Sequence, residues 1–221
     1  MRPLPLWRHE LSRTGWATLV TPPLALIAPL ALTALGGADR HRLLLVGPEA
    51  VLPLAVSLVA VSIVARDPVT ELHLTLPTRF RATLLRRLGL LLLVAGLAAA
   101  AYCAILLAAD AWAGPPLPQG ALLWVAPMLA LTALAVVVGG LTRSVSLATT
   151  AVGGLWLLEQ LFVSTFTEHL SWLYLFPTLR LGIGPDWTGS RLTLLAVAVV
   201  VAAGAAWAIG RPEQLLTEED R

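Results

Sequence analysis

The sequence predicts an all-α integral membrane protein with six transmembrane helices, and three observations carry that expectation. Hydrophobic residues fill 57% of the 221 positions and charged residues only 13%, against about a quarter charged in ordinary soluble domains. The apolar residues gather into runs close to the roughly 20 residues that a helix needs to cross a bilayer. None of the runs alternates as a membrane β-barrel strand would. The mean hydropathy of +0.81 agrees; so few charges do not cover a water-facing surface.

The elements follow in chain order. Residues 3–15, "PLPLWRHELSRTG", place Trp7 and Leu11 four apart, with Arg8, Glu10 and Arg13 elsewhere on the helical wheel. That pattern suits a short helix lying along the membrane surface. Six apolar runs come next: Trp16–Leu35, Leu43–Ala65, Leu88–Ala109, Ala121–Leu141, Val145–Phe166 and Arg191–Ile209. The first is longer than a signal-peptide core, carries Pro22, Pro23 and Pro29, and lacks an A-x-A cleavage site, so it reads as a membrane helix. Glu49 and Asp110 fall near the ends of runs and read as interfacial. Gly139 and Gly140 precede a tight "LTRSV" turn and read as a helix-end feature. Ser146, Thr150 and Gly154 form a small-residue stripe on the fifth run.

Residues 167–190 are too aromatic for a solvated loop and too interrupted to cross, which suits a re-entrant or interfacial segment with Trp172, Tyr174 and Trp187 as headgroup anchors. Residues 211–221 form a polar tail. The whole chain, 1–221, reads as a single membrane domain without internal repeats.

Arginine sets the orientation. With a cytoplasmic N-terminus, the inside segments hold Arg2, Arg8, Arg13, Arg66, Arg79, Arg81, Arg86, Arg87, Arg143, Arg211 and Arg221. Only Arg40, Arg42, Arg180 and Arg191 lie outside, so the positive-inside rule selects a multi-pass protein of the cytoplasmic membrane with both termini cytoplasmic. The formal charge of +2 is too small to suggest nucleic-acid binding. Cys103 is the single cysteine, and His9, His41, His73 and His169 are scattered, so neither a disulfide framework nor a metal site is expected.

Between the second and third runs lies "RDPVTELHLTLPTRFRATLLRRLG", residues 66–89. Asp67 before Pro68 is a good helix start, and Pro77 stops the helix. Residues 67–77 therefore form a capped helix of about two turns, too short to be stable alone. Val69, Leu72 and Leu76 share one side; Thr70 and His73 share another. On the residues alone two readings stand open: a docking helix, or a loop whose arginines fix topology and bind anionic membrane lipids.

The stretch "ELHLTLPTR" resembles the first cytoplasmic loop of membrane subunits of type-2 ATP-binding-cassette (ABC) exporters. Glu71, Leu72, Pro77 and Arg79 match that family's pattern, with Glu71 six residues before the proline. Pro68 and Val69 stand where the family has a Gly-Thr pair, and one residue rather than two separates Pro77 from Arg79. The resemblance implies that residues 3–15 are an elbow helix, 67–77 a coupling helix and 167–190 a re-entrant pair. It further implies that Asp67, Glu71, Leu72, His73, Pro77, Arg79 and Arg81 couple the chain to an ATPase, and that Arg86 and Arg87 pin the start of the third span.

The implied partners are a separate ABC ATPase subunit, expected in two copies, and a second permease subunit, identical or not. A P-loop needs G-x-x-x-x-G-K-[ST], and the sequence contains no lysine. ATP and Mg would accordingly be bound by the partner, and this chain is expected to be a transport subunit without catalytic residues. Its cargo would be an amphiphilic drug, antibiotic, peptide or lipid.

Glu159 sits within the fifth run beside Gln160. A carboxylate at such depth is costly and faces protein, water or a partner, so the pair is a candidate substrate path or proton-linked site, or else an internally hydrogen-bonded structural element. Two other functions compete with the exporter: a non-transporting scaffold that recruits a cytoplasmic protein, and an ion-coupled carrier using Glu159.

Overall fold

The computed structural model describes residues 16–34, 39–65, 80–116 and 118–208. Trp7, Leu11, Asp67, Glu71, Leu72, His73, Pro77 and Arg79 lie outside these residues, as do the segments 3–15, 67–77 and 211–221. Among the described residues the secondary structure is helical, without strands. Helix α1 spans Trp16–Ala34 and α2 spans Arg40–Val46; a π-helical turn, Gly47–Val51, joins α2 to α3, Leu52–Ala65. Then come α4 (Phe80–Ala108), α5 (Leu122–Thr142), α6 (Val145–Leu161), α7 (Val163–His169), α8 (Pro177–Leu181) and α9 (Trp187–Ala208).

Among the described residues four stretches are long and apolar enough to cross a membrane: Arg40–Ala65, Ala82–Ala108, Gln119–Thr142 and Trp187–Ala205. A fifth is added if α6 and α7, bent by 88°, count as one span. The apolar part of α1, Thr18–Ala34, is shorter. The fifth run, Val145–Phe166, is thus not one straight helix. It breaks at Phe162 (φ −109°, ψ 48°), where the chain enters "FVSTFT", whose β-branched and hydroxyl side chains favour helix weakly. Helix α4 also begins well before the apolar run that announced it, because arginine is a good helix former and carries the helix past the end of its greasy stretch.

The α2–α3 unit is the centre of the bundle: α3 packs against α1, α4, α5 and α6, and α9 packs on α5. Small residues make this possible. Ala60, Ala95, Ala99, Ala126, Ala135 and Ala148 are all buried, letting backbones approach closely, as is usual where lipid surrounds the helices. Gly139 belongs to this set and lies within α5: a Cβ there would sit 3.4 Å from Val64 Cγ1 and 3.7 Å from the Ala148 Cβ. Helix α5 ends one turn later, with Arg143 in the left-handed region (φ 50°) and Ser144 capping α6 by accepting the Leu147 N–H at 3.3 Å.

The outward faces are apolar as well. Leu85, Leu93, Leu97 and Ile105 project from α4, and Val199 and Val200 from α9. Exposing each of these to water would cost roughly 1.5–3 kcal/mol relative to burial, whereas hydrocarbon removes the penalty. The helices are compatible with a membrane protein on both counts, length and coat.

The π turn follows from the sequence Gly-Pro. Pro48 has no N–H to give to the Leu44 carbonyl one turn back, and its ring crowds that carbonyl. Widening the helix locally relieves the crowding, and the Tyr102 hydroxyl donates to the freed Leu44 oxygen at 2.8 Å. Gly47 makes this junction tight: a Cβ there would lie 3.2 Å from Pro29 Cγ and 3.3 Å from the Tyr102 oxygen. The turn also aims the next side chain, Glu49, into the protein.

Candidate functional site

Three charged side chains converge, all at 0% exposure: Glu49 from the π turn, Glu159 from the last turns of α6 and Arg191 from the first turns of α9. Between them lies the backbone of 174–179. Glu49 Oε1 accepts from the Thr178 N–H and Oε2 from the Leu179 N–H, both at 3.0 Å. These are donors of the first turn of α8, which Pro177 opens. A carboxylate from a distant part of the chain thus caps a helix whose first position has no N–H to satisfy.

Arg191 closes the arrangement. Its Nη2 donates to Glu49 Oε1, and its Nη1 donates to the Leu175 carbonyl at 2.7 Å. The Leu175 N–H in turn donates to Glu159 Oε2 at 2.7 Å. Residue 175 is therefore held on both sides of its backbone, by a guanidinium and by a carboxylate. The Trp187 ring lies 5.6 Å from the Arg191 guanidinium carbon, one helical turn earlier on α9, and its indole N–H donates to Thr178 Oγ1 at 2.8 Å. Glu159 Oε1 has no hydrogen-bond partner among the described residues.

Aromatic packing completes the holding of this segment. Phe176 meets Trp156 edge-on at 6.1 Å and Tyr174 at 6.2 Å, and Tyr174 stacks on Phe166 at 6.5 Å. Tyr174 and Trp187 are buried, whereas Trp172 is 43% exposed. Of the three expected headgroup anchors, then, two are core residues. Burial pushes the Tyr174 phenol up to about 12, the largest cause, with Arg180 opposing it; its hydroxyl has no hydrogen-bond partner among the described residues.

Taking ions out of water costs several kcal/mol each, and only good geometry with satisfied hydrogen bonds returns that cost. Here Glu49 receives two N–H groups and a guanidinium, and the product is a segment tied to both α2–α3 and α9. Glu49 is accordingly not an interfacial residue, and Arg191 is not a free topology marker. Sequence reasoning missed them as a pair. The available signal was two opposite charges in apolar stretches, each needing a partner.

Glu159 and its neighbour Gln160 diverge. Glu159 faces the buried network, whereas the Gln160 Oε1 accepts from Arg180 Nη2 at 3.2 Å. Gln160 and Arg180 line a cavity of about 270 Å³ together with Asp39, Arg42, Leu43, Val46, Ala50, Trp156 and Leu179. The wall of Trp156 is fixed by its indole N–H, which donates to the Ala50 carbonyl at 3.1 Å. Of the residues expected to couple to an ATPase, Arg81 falls in the first turn of α4. Among the described residues no group of three or more His, Cys, Asp or Glu side chains is arranged to hold a metal ion.

No family model matches the chain, and no curated protein or solved structure matches it.

Proposed function

We propose that the chain is the permease subunit of a type-2 ABC exporter, moving an amphiphilic substrate out across the cytoplasmic membrane. On this reading α1 is the first of six spans, α6 with α7 the fifth and α9 the sixth. Both termini are cytoplasmic, residues 3–15 are the elbow helix and 67–77 the coupling helix. ATP and Mg are held by a separate ATPase pair, and a second permease subunit completes the path.

One observation carries the reading best. The chain between α7 and α9 does not run free: its backbone at 175, 178 and 179 is fastened by Glu49, Glu159 and Arg191. An inward-tied segment between the last two spans supports reading 167–190 as the re-entrant element that the sequence resemblance implies. Irregular backbone at such a place is tolerated only where protein satisfies its polar groups, and the buried network does that here.

The mechanism follows from rigidity. Closure of the ATPase pair acts as a ligand that favours one membrane conformation over the other. A lever at 67–77 passes the motion into α3 and α4, which flank it. Because Glu49 and Arg191 join the π turn, α8 and the start of α9, those parts move as one body. The residues assigned to coupling, Asp67, Glu71, Leu72, His73, Pro77, Arg79 and Arg81, dock or cap and perform no phosphoryl chemistry.

A second reading, an ion-coupled carrier, is favoured by Glu159 Oε1, which has no hydrogen-bond partner among the described residues. One preparation separates the two. Protein purified from native membranes in mild detergent is expected to bring ATP hydrolysis with it, sensitive to vanadate. A preparation that hydrolyses no ATP yet transports on an ion gradient would replace the exporter with the carrier.

A further inference from the structure

The cavity between α2, α6 and α8 has a division of chemistry that defines a ligand. Its apolar walls are Leu43, Val46, Trp156 and Leu179, and its polar groups are Asp39, Arg42, Gln160 and Arg180. The two guanidinium groups come from different elements, Arg42 from α2 and Arg180 from α8. Among the described residues neither forms an ion pair. Against the one carboxylate, Asp39, the lining keeps an excess positive charge. Arg180 is oriented by Gln160 at 3.2 Å, and Trp156 by the Ala50 carbonyl at 3.1 Å. Arg180 and the flat apolar wall are thus set before any ligand arrives, which lowers the ordering cost of binding.

Size narrows the class further. About 270 Å³ is at the lower edge of the roughly 300–1,000 Å³ typical of drug-sized sites. That volume is too small for a folded peptide or a large drug, and suits an acidic group with a short apolar portion.

We propose that this cavity binds an acidic amphiphile, its carboxylate or phosphate held by Arg42 and Arg180 and its apolar end laid against Trp156. Guanidinium groups match such oxyanions in geometry as well as charge. The Glu49–Arg191 pair supports the site from behind: Ala50 follows Glu49, and the Leu179 N–H donates to the Glu49 carboxylate, so the buried network fixes two of the cavity walls. The acid could come from the bilayer as an anionic lipid or from solution as a free amphiphile; the chemistry recognised is the same. The inference does not depend on an ATPase partner.

The test uses the full-length protein in phosphatidylcholine nanodiscs, labelled by a diazirine-bearing octanoic acid and mapped by peptide mass spectrometry. Labelling is expected in 39–50, 156–160 or 179–180, displaced by octyl phosphate and not by octanol. Arg42→Gln and Arg180→Gln should each raise the concentration needed for half-labelling about tenfold, as loss of a charge-assisted hydrogen bond does. Both arginines are exposed, so the variants keep the parent's melting temperature. Loss of labelling when phosphatidylglycerol is added to the discs identifies the lipid as occupant, and displacement by octyl phosphate alone identifies a free amphiphile; either supports the site. Labelling that maps elsewhere, yields equally to octanol, or ignores both arginine substitutions overturns it.

Discussion

Arg191→Met removes one side of the buried network while keeping its bulk. Glu49 would retain the Thr178 and Leu179 N–H groups but lose its counter-charge, and the Leu175 carbonyl would lose its donor. Removing one partner of a buried pair costs about 3–5 kcal/mol. Glu49→Leu should cost about the same, because it leaves Arg191 uncompensated and two N–H groups unmet. The double variant differs in kind. With both charges gone the desolvation penalty disappears, and what is left is the unmet backbone of 175, 178 and 179, about 1–3 kcal/mol for each buried group that water does not reach. If the singles were independent, the pair would lose about 6–10 kcal/mol; the three unmet groups predict a smaller loss, about 3–9 kcal/mol. Steric trapping in bicelles reads these free energies directly, with thermal melting as a cross-check. An Arg191→Met protein as stable as the parent, or singles that add without coupling, would refute the assignment of this pair as the fastening of α8.

Tyr102→Phe should destabilise by about 1–3 kcal/mol, since it strips the Leu44 carbonyl of its donor and leaves the π turn unsupported; unchanged melting would contradict the explanation of that turn. Tyr174→Phe should be neutral or slightly stabilising, because the hydroxyl is buried without a partner among the described residues. The Tyr174 phenol is raised to about 12, so the contribution of its neutral form is present below the ordinary tyrosine value near 10 and is lost between about pH 10 and 12. The phenylalanine variant should lack that part of the alkaline loss in melting temperature. Glu159→Gln keeps an oxygen able to accept from the Leu175 N–H, so assembly should survive; unaltered transport across substrates and pH would leave Glu159 a purely structural role.

The apolar runs were legible because hydrophobic length is a local property, counted within one segment. Helix ends were less so. Arg86 and Arg87, read as the start of the third span, lie inside α4, since hydropathy marks the lipid-facing length and not the hydrogen-bonded one. The kink at Phe162 carries no proline to announce it. The partnership of Glu49 with Arg191, 142 residues apart, is beyond any local pattern: each charge announces that it needs a partner, but the fold selects which. Tyr174 and Trp187 show the same limit, for aromatics in an interrupted apolar segment serve a headgroup belt and a core equally well. Gln160 and Glu159 are adjacent in sequence, yet the two neighbours serve different places, one a cavity and one a buried network.

The exporter account turns on whether a nucleotide-binding protein travels with this chain through residues 67–77. The most direct measurement is purification from native membranes in mild detergent, wild type beside a Glu71→Ala/Leu72→Ala variant, with the stoichiometry of every co-purifying protein determined. The account predicts an ATPase subunit in equal amount with wild type and its loss from the variant, while both insert equally well. An ATPase retained by the variant would contradict the coupling helix, and no ATPase with wild type would contradict the permease itself.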